Sequence, residues 1–487
     1  MKPTQLLAAL LLASGIAAFA QSNGAVGVPQ LSPADRVLAR DVFAELININ
    51  TSHSVGSTTV AAEAIAKRLR DAGFADADVR VLGPDSVNGK RKNLLVHWPA
   101  ADKSTQKPAL FICHLDVVEA PRDQWQTDPF VFTEKDGYFY GRGTQDIKNA
   151  DAALVTDLIM LRRSGFEPTR DLYFAFTADE EGGPDNGMDW LLKHCPGLKD
   201  AAFVINPDAG ILVAHNGKPE TMQVAATEKT YADFELRVNG PGGHGSLPTP
   251  ENPIYSLAAA LTRLHTWVFP VELNAVTREY FTRMATTAPA ETAAAMRGVL
   301  QSPPDAAAAE QLSRDPLMNA TLRTTCVATM LKAGEALNAL PATAAADVNC
   351  RILPGHSPEE VRGDLERIVA DNKVKVSYVT NGEGRTATAP DSKGNPPPPP
   401  LPAVFAPLET ITHGLFPGVP IVPEMETGAS DSIYTTADGI PSYGISGFAI
   451  DGDDIRFHAR DERLRVESYY AGVEFYRLYI EGLGQEH

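Results

Sequence analysis

Leu172-Tyr173-Phe174-Ala175-Phe176-Thr177-Ala178-Asp179-Glu180-Glu181-Gly182-Gly183 begins as an apolar run and ends in three adjacent carboxylates and a glycine turn. Its first five residues read as a buried strand. Carboxylates crowded at the end of such a strand are costly unless a cation holds them together. Neighbouring residues on an extended chain point to opposite sides, so Glu180 and Glu181 are expected to do different work, one facing a metal and the other a water or substrate. Most acidic triplets taken alone are solvated loops. The company this one keeps argues otherwise.

Helical spacing over 57–72 is followed by strand-like runs over 78–82, 93–97 and 108–112, a helix over 148–163 and, past the opening stretch, a strand over 202–206. Such alternation predicts an α/β sheet with helices on both faces, in which ligands sit where strands end. Each of these ends carries a metal-type side chain. His114 and Asp116, spaced i, i+2, share one side of an extended chain, with Asp116 placed to orient the imidazole. Asp146 closes Tyr140-Gly141-Arg142-Gly143-Thr144-Gln145-Asp146, where glycines let the backbone approach a ligand; alone it would be a helix cap. Asp208 sits in Asn206-Pro207-Asp208-Ala209-Gly210, otherwise a turn. Each signal is weak by itself, but four in succession are not.

The 487 residues, 44% hydrophobic and 21% charged, have globular composition and length for two or more domains. A formal net charge of −18 argues against nucleic acid and anionic membrane surfaces as partners. Lys2, the apolar run 6–17 and the small residues Ala18 and Ala20 before Gln21 form the pattern of a cleaved export signal over 1–20, which implies a secreted or periplasmic protein with no membrane contact after cleavage. Of four cysteines, Cys113 reads as strand packing and Cys195 as a helix end, while Cys326 and Cys350 lie in neighbouring strand-like runs and are able to pair.

In this order the segments resemble the M20 family of di-zinc metallopeptidases and aminoacylases, nearest its carboxypeptidase S and PM20D1-like branch. The resemblance runs from about residue 37 to 479 and is carried by His114-Leu115-Asp116-Val117-Val118, Trp125 with Asp128-Pro129-Phe130, the 141–148 segment, Asp179-Glu180-Glu181, Gly242-Gly243-His244-Gly245-Ser246, Leu322-Arg323-Thr324-Thr325, Asn338-Ala339-Leu340-Pro341, the 349–355 segment and His458. It implies that Asp146 bridges two Zn2+ ions, with His114 and Asp208 completing one site and Glu181 and His458 the other; Co2+ or Mn2+ also suit so carboxylate-rich a set. It implies that Glu180 is the general base. His244 is similar to the lid histidine that polarises the substrate carbonyl, in dimeric members reaching the partner's site, and Asn338 and Arg351 to the pair gripping the substrate's free carboxylate. Gly428-Ala429-Ser430-Asp431-Ser432 resembles the family's loop lining the leaving-group pocket, which implies a substrate-binding place for Gly428, with Asp431 also readable as a helix cap, and Glu462 is expected to support the last ligand. The family usually carries a Glu-containing turn where this chain has Asp208.

The middle of the chain leaves the alternating plan. A half-buried strand over 232–238, a helix over 253–267, an Ala-rich run over 286–311 that reads as surface helix, strands over 324–330 and 345–352 and a helix over 358–371 predict an inserted α+β unit. The expected organisation is a zinc-exopeptidase-like catalytic domain built from 21–227 and 380–487, with a lid or dimerisation domain over 228–379 and the proline run 395–402 as a stiff spacer. The resemblance implies a hydrolase cutting an amide next to a free carboxylate, as a carboxypeptidase or dipeptidase on small peptides or as an aminoacylase on N-acyl amino acids, with a homodimer formed through the lid. A peptide-binding protein that has lost catalysis is the alternative; the intact Glu180 opposes it. Neither a G-x-S-x-G elbow nor an HExxH helix is present, which disfavours a serine hydrolase and a single-zinc peptidase.

Overall fold

Uninterrupted apolar runs need cover on both faces, and the chain supplies it with a ten-stranded sheet. In spatial order the strands are Val79–Leu82, Asn93–Trp98, Leu172–Thr177, Ala109–His114, Phe203–Asn206, Ser442–Gly444, Lys218–Glu228, Ile211–His215 and Ala449–Asp451, with Ile421–Glu426 beside Lys218–Glu228. This is a computed structural model; it describes residues 31–485 apart from 85–86, 102–103, 184, 382–383, 385 and 395, so the expected signal over 1–20 lies outside the described residues.

Alternate residues of Ala109–His114 feed two different cores. Phe111 joins Phe174 and the helices Pro33–Asn48, Thr58–Asp71, Lys148–Ser164 and Val466–Gly484 on one face, whereas Leu110 and Ile112 join Met188 and Leu191 of Gly187–His194 on the other. Each fully buried Phe contributes about 1.5–3 kcal/mol. Leu172–Thr177, Ala109–His114 and Phe203–Asn206 run parallel side by side, with His114 opposite Thr177. Their carboxyl ends therefore open on one edge, where the predicted site residues lie.

A second, antiparallel sheet is ordered Thr325–Ala333, Thr343–Ile352, Thr230–Asn239, Val374–Tyr378. Phe234, Leu236 and Val238 alternate inward and meet Leu257 of helix Pro253–Thr266 and Leu365 of helix Pro358–Val369. Cys326 and Cys350, directly opposite in register, form a disulfide between the outer strand and its neighbour.

The Ala-rich run differs from its reading as surface helix. Helices Ala290–Val299 and Ala306–Leu312 bury Ala293, Ala295, Met296 and Val299 in a small core with Phe281 and with Val422 of the catalytic sheet. Short side chains permit close helix approach there: a Cβ on Gly298 would collide with Ala308. The proline run lies against the catalytic domain, where the Tyr443 hydroxyl donates to the Pro399 carbonyl at 2.6 Å, and Pro402 opens helix Pro402–Leu415. Among the described residues no helix is long and apolar enough to cross a membrane.

Candidate metal centre and active site

His114 ends the central strand with its ring 2% exposed. Its Nδ1 lies 2.9 Å from the backbone carbonyl of Asp116, which can only accept, so Nδ1 carries a proton and Nε2 is the nitrogen turned toward the site. That Nε2 is 3.1 Å from Asp146 Oδ1 and 3.5 Å from Asp208 Oδ1. His458 Nε2 lies 3.1 Å from Asp146 Oδ2 and 2.9 Å from Glu181 Oε2. Asp146 thus presents one oxygen to each imidazole, and all five sequence-predicted ligands converge. His114, Asp146 and Glu181 offer ligand atoms within 4.8 Å of one another.

The electrostatics fit a cation. Hydrogen bonds from His114 and His458 hold the Asp146 carboxyl well below its usual range against the upward push of burial. Bonds to Asp146 and Glu181 raise His458 to about 10. Burial pulls His114 down, but Asp208 and Asp146 raise it well above its ordinary value. A site that draws positive charge onto two imidazoles, with donors of imidazole and carboxylate type, suits a divalent metal of zinc character.

Glu180 stands beside this cluster, its carboxyl raised well above the ordinary value chiefly by burial. Its position is set through the backbone: the amides of Glu180 and Glu181 donate to the two oxygens of Asp116 at 3.1 and 3.0 Å. This corrects the expected role of Asp116. Its carbonyl, not its carboxylate, orients His114, because the carboxylate is committed to the acidic turn.

A second layer fixes the ligands. Glu462, fully buried, accepts from the amides of Gly143, Gln145 and Asp146 at 3.1, 2.6 and 3.1 Å and from Arg142 Nη1 at 2.7 Å, while Arg142 Nη2 donates to the His458 carbonyl at 3.2 Å. One carboxylate therefore ties the Asp146 loop to the His458 loop. Asp146 does not cap the following helix, whose N-cap is Ile147 without a side-chain bond. Nor is Asp431 a side-chain cap; it accepts from Thr177 Oγ1 at 2.6 Å and Asn186 Nδ2 at 2.7 Å. Asn206 Nδ2 donates to the hydroxyls of Ser430 and Ser432, and its Oδ1 accepts the Asp208 amide at 3.0 Å. Asn206 enters the sequence only as part of the Asp208 turn, and Asn93, Arg91 and Glu228 carry no spacing signal; Asn206, Asn93 and Arg91 are buried and Glu228 is half-buried.

The lid residues fall elsewhere. His244 is exposed, with Nδ1 2.7 Å from Ser246 Oγ; its short strand Gly243–His244 pairs with Ala339–Leu340, and the Gly245 amide donates to the Asn338 carbonyl at 2.7 Å. His244 and Asn338 are thus brought together at an exposed surface beside the second sheet. Arg351 lies in the lid sheet with its guanidinium 4.6 Å from the centre of the Tyr231 ring. Among the described residues, no hydrogen bond or ion pair joins His244, Asn338 or Arg351 to the five-residue cluster. The Gly428 amide points to Glu426 Oε1 at 3.4 Å, and behind its loop a cavity of about 380 Å³ is lined by Ala226, Tyr231, Ala429, Ile433 and Gly444 among others.

The pattern of peptidase family M20/M25/M40 matches residues 110–482. The chain is 31% identical to the N-fatty-acyl-amino acid synthase/hydrolase PM20D1 of Homo sapiens, over 77% of this chain and 74% of that protein. It is 29% identical to the probable carboxypeptidase S-like 2 of Dictyostelium discoideum, over 79% of this chain and 73% of that one. Among solved structures, the di-peptidase Dug1p of Saccharomyces cerevisiae shares the fold, with a TM-score of 0.66 at 17% identity over 93% of this chain and 97% of that chain. A match that long, running through His114, Asp146, Glu181, Asp208 and His458, leaves no room for chance likeness: the chain is a hydrolase belonging to peptidase family M20/M25/M40.

Proposed function

We propose that the protein is a zinc-dependent hydrolase that cleaves an amide bond next to a free carboxylate, exported by its N-terminal signal. The observation that carries the reading is Asp146 with one oxygen toward each of two imidazoles and Glu180 uncommitted beside them. His114, Asp146 and Asp208 would hold one Zn2+ and Asp146, Glu181 and His458 a second. When bound, the metal pair supplies a water acidified toward neutral pH and polarises the scissile carbonyl. Glu180 takes the water's proton and returns it to the leaving nitrogen, and its burial suits a carboxyl that must both accept and donate. Asp116 holds Glu180 in place through the two amide bonds of the acidic turn.

Arg351 grips the substrate's carboxylate with its planar fork, braced by the Tyr231 ring. Tyr231 also lines the cavity behind the Gly428 loop, which gives the side chain next to that carboxylate an apolar place to enter. His244 and Asn338 act from a second copy of the chain. The outermost lid strand supports that arrangement: Val327, Met330 and Leu331 are 60, 67 and 68% exposed along an unpaired edge. The similarity to PM20D1 favours a second reading, in which the acyl half is a fatty acid and the substrate an N-acyl amino acid rather than a peptide.

The test is the zinc-reconstituted mature protein assayed against dipeptides and N-acyl amino acids, with bound metal measured by elemental analysis. Hydrolysis of either class that is abolished by chelation and restored by zinc supports the proposal. Full activity in metal-free protein overturns it.

A further inference from the structure

Behind the acidic turn lies a contact that the proposed chemistry does not use. Asp179, the first of the three carboxylates, has a φ of 58°, a left-handed conformation uncommon outside glycine. Its side chain is 1% exposed and faces Arg91 Nε at 3.5 Å; the Arg91 side chain is also 1% exposed. Among the described residues, neither Arg91 Nε nor either Asp179 oxygen has a hydrogen-bond partner, so each charge answers the other. The remaining Arg91 nitrogens are spent on the carbonyls of Thr51, Ser52 and His53. His53 Nδ1 stands 3.9 Å from Asp179 Oδ1, and a Cβ on Gly183 would collide with the Asp179 carboxylate. On the other side of the turn, Asn93 Oδ1 accepts the Ala178 amide at 2.8 Å, and Asp116 takes the amides of Glu180 and Glu181.

We propose that Arg91 is a positioning residue for the reaction: by pairing with Asp179 while gripping the 51–53 backbone, it fixes the direction in which Glu180 leaves the turn. This rests on the reading of Glu180 as general base. The physical reason is the burial of two carboxylates in one place. Asp116, whose carboxylate takes the amides of Glu180 and Glu181, adds a second buried negative charge on the other side of the turn from Asp179. Without a buried guanidinium Asp179 is left unpaired in a dry site, which drives its side chain to swing toward water. Glu180 is the next residue, so any such swing moves the base relative to its substrate. A misplacement near 1 Å is enough to cost about a hundredfold in rate. Arginine suits the task because its fork satisfies a carboxylate and several carbonyls at once, which a lysine ammonium does only in part.

The test uses zinc-loaded enzyme and four variants: Arg91→Met, Arg91→Lys, Asp179→Asn and the double variant Arg91→Met/Asp179→Asn, each read for kcat, KM, bound zinc and Tm. Arg91→Met is expected to lower kcat about a hundredfold with KM and zinc content unchanged, and Arg91→Lys to lose less. The double variant is expected to regain about tenfold in kcat over Arg91→Met, because it leaves no orphaned charge. Asparagine tolerates the left-handed conformation, so Asp179→Asn keeps the fold and tests the pair even where Arg91→Met fails to fold; its kcat is expected to fall about tenfold. Unchanged kcat in Asp179→Asn, or a double variant no better than Arg91→Met, overturns the proposal. An inactive wild type would instead overturn the proposed function, so the two failures are distinct.

Discussion

The ten-stranded sheet and the second, antiparallel sheet carry their proposed site residues in opposite ways. His114, Asp146, Glu181, Asp208 and His458 stand at the ends of buried strands or in loops bolted together by Glu462, and their polar atoms already lie 2.9–3.5 Å apart. His244 sits on a two-residue strand at an exposed surface with Asn338 in the turn just before the partner strand, and Arg351 leans on a tyrosine in a separate sheet. The first group is preorganised by the core. Under the proposed function the second is placed only by a closing motion or by a second copy of the chain, the kind of step that sets specificity and gating in many enzymes.

The harshest way to break this contrast is Glu180→Gln. Its kcat should fall about 10²–10⁴-fold with zinc retained, read by steady-state kinetics and elemental analysis; zinc loss would move Glu180 into the ligand set. Next in size is Arg351→Met, expected to lower kcat/KM about 10–100-fold, the worth of a hydrogen-bonded charge, while substrates esterified at the carboxylate should lose nothing further. The sharpest probe of where the lid residues act is a mixture of two inactive chains, Glu180→Gln and His244→Ala. If His244 serves the partner's site, mixed dimers hold one intact site in two, and activity should return to about a quarter of wild type. No recovery after subunit exchange, confirmed by mass, would place His244 in its own chain's site.

The catalytic half was legible because its sheet is covered on both faces. Runs such as Ala109–His114 are apolar throughout, end abruptly, and leave a His or an acid at the point where the parallel strands open. The spacing could not say what each acid does. Asp116 looked like a partner for His114 on i, i+2 geometry, yet the turn amides claim its carboxylate. The Ala-rich helices were misread because alanine signals burial poorly: the same residue suits a solvated face and a tight helix contact. Strand Lys218–Glu228 escaped notice because its middle is buried by neighbours on both sides although it carries Thr221 and Gln223. Arg91 and Glu228 were invisible for a related reason. A single charged residue in a sequence reads as surface until the fold shows it enclosed.

Glu228 yields the smallest effect, at the joint between the two regions. It ends Lys218–Glu228, and the lid strand Thr230–Asn239 starts two residues later. Burial pushes its carboxyl up to about 8, even though Ser430 donates to it through both amide and hydroxyl. Burial, with Arg351 and Arg323 nearby, also pulls Lys229 down to about 7, its Nζ donating to the Arg323 carbonyl at 2.7 Å. The signs oppose. A carboxyl raised from 4.5 to about 8 keeps its proton in the folded chain after the unfolded chain has lost it, so its contribution is complete below pH 4.5 and disappears as pH rises through 8. A lysine lowered from 10.5 to about 7 binds fewer protons folded than unfolded, so stability recovers as pH rises from 7 toward 10.5. Zinc-saturated Glu228→Gln should therefore lose less Tm than wild type between pH 5 and 7, by roughly 2–4 °C in a thermal scan, with the two curves diverging only between about pH 4.5 and 8. Parallel curves throughout would mean that the joint opens to water and that the lid is hinged through solvent rather than through a buried pair of groups.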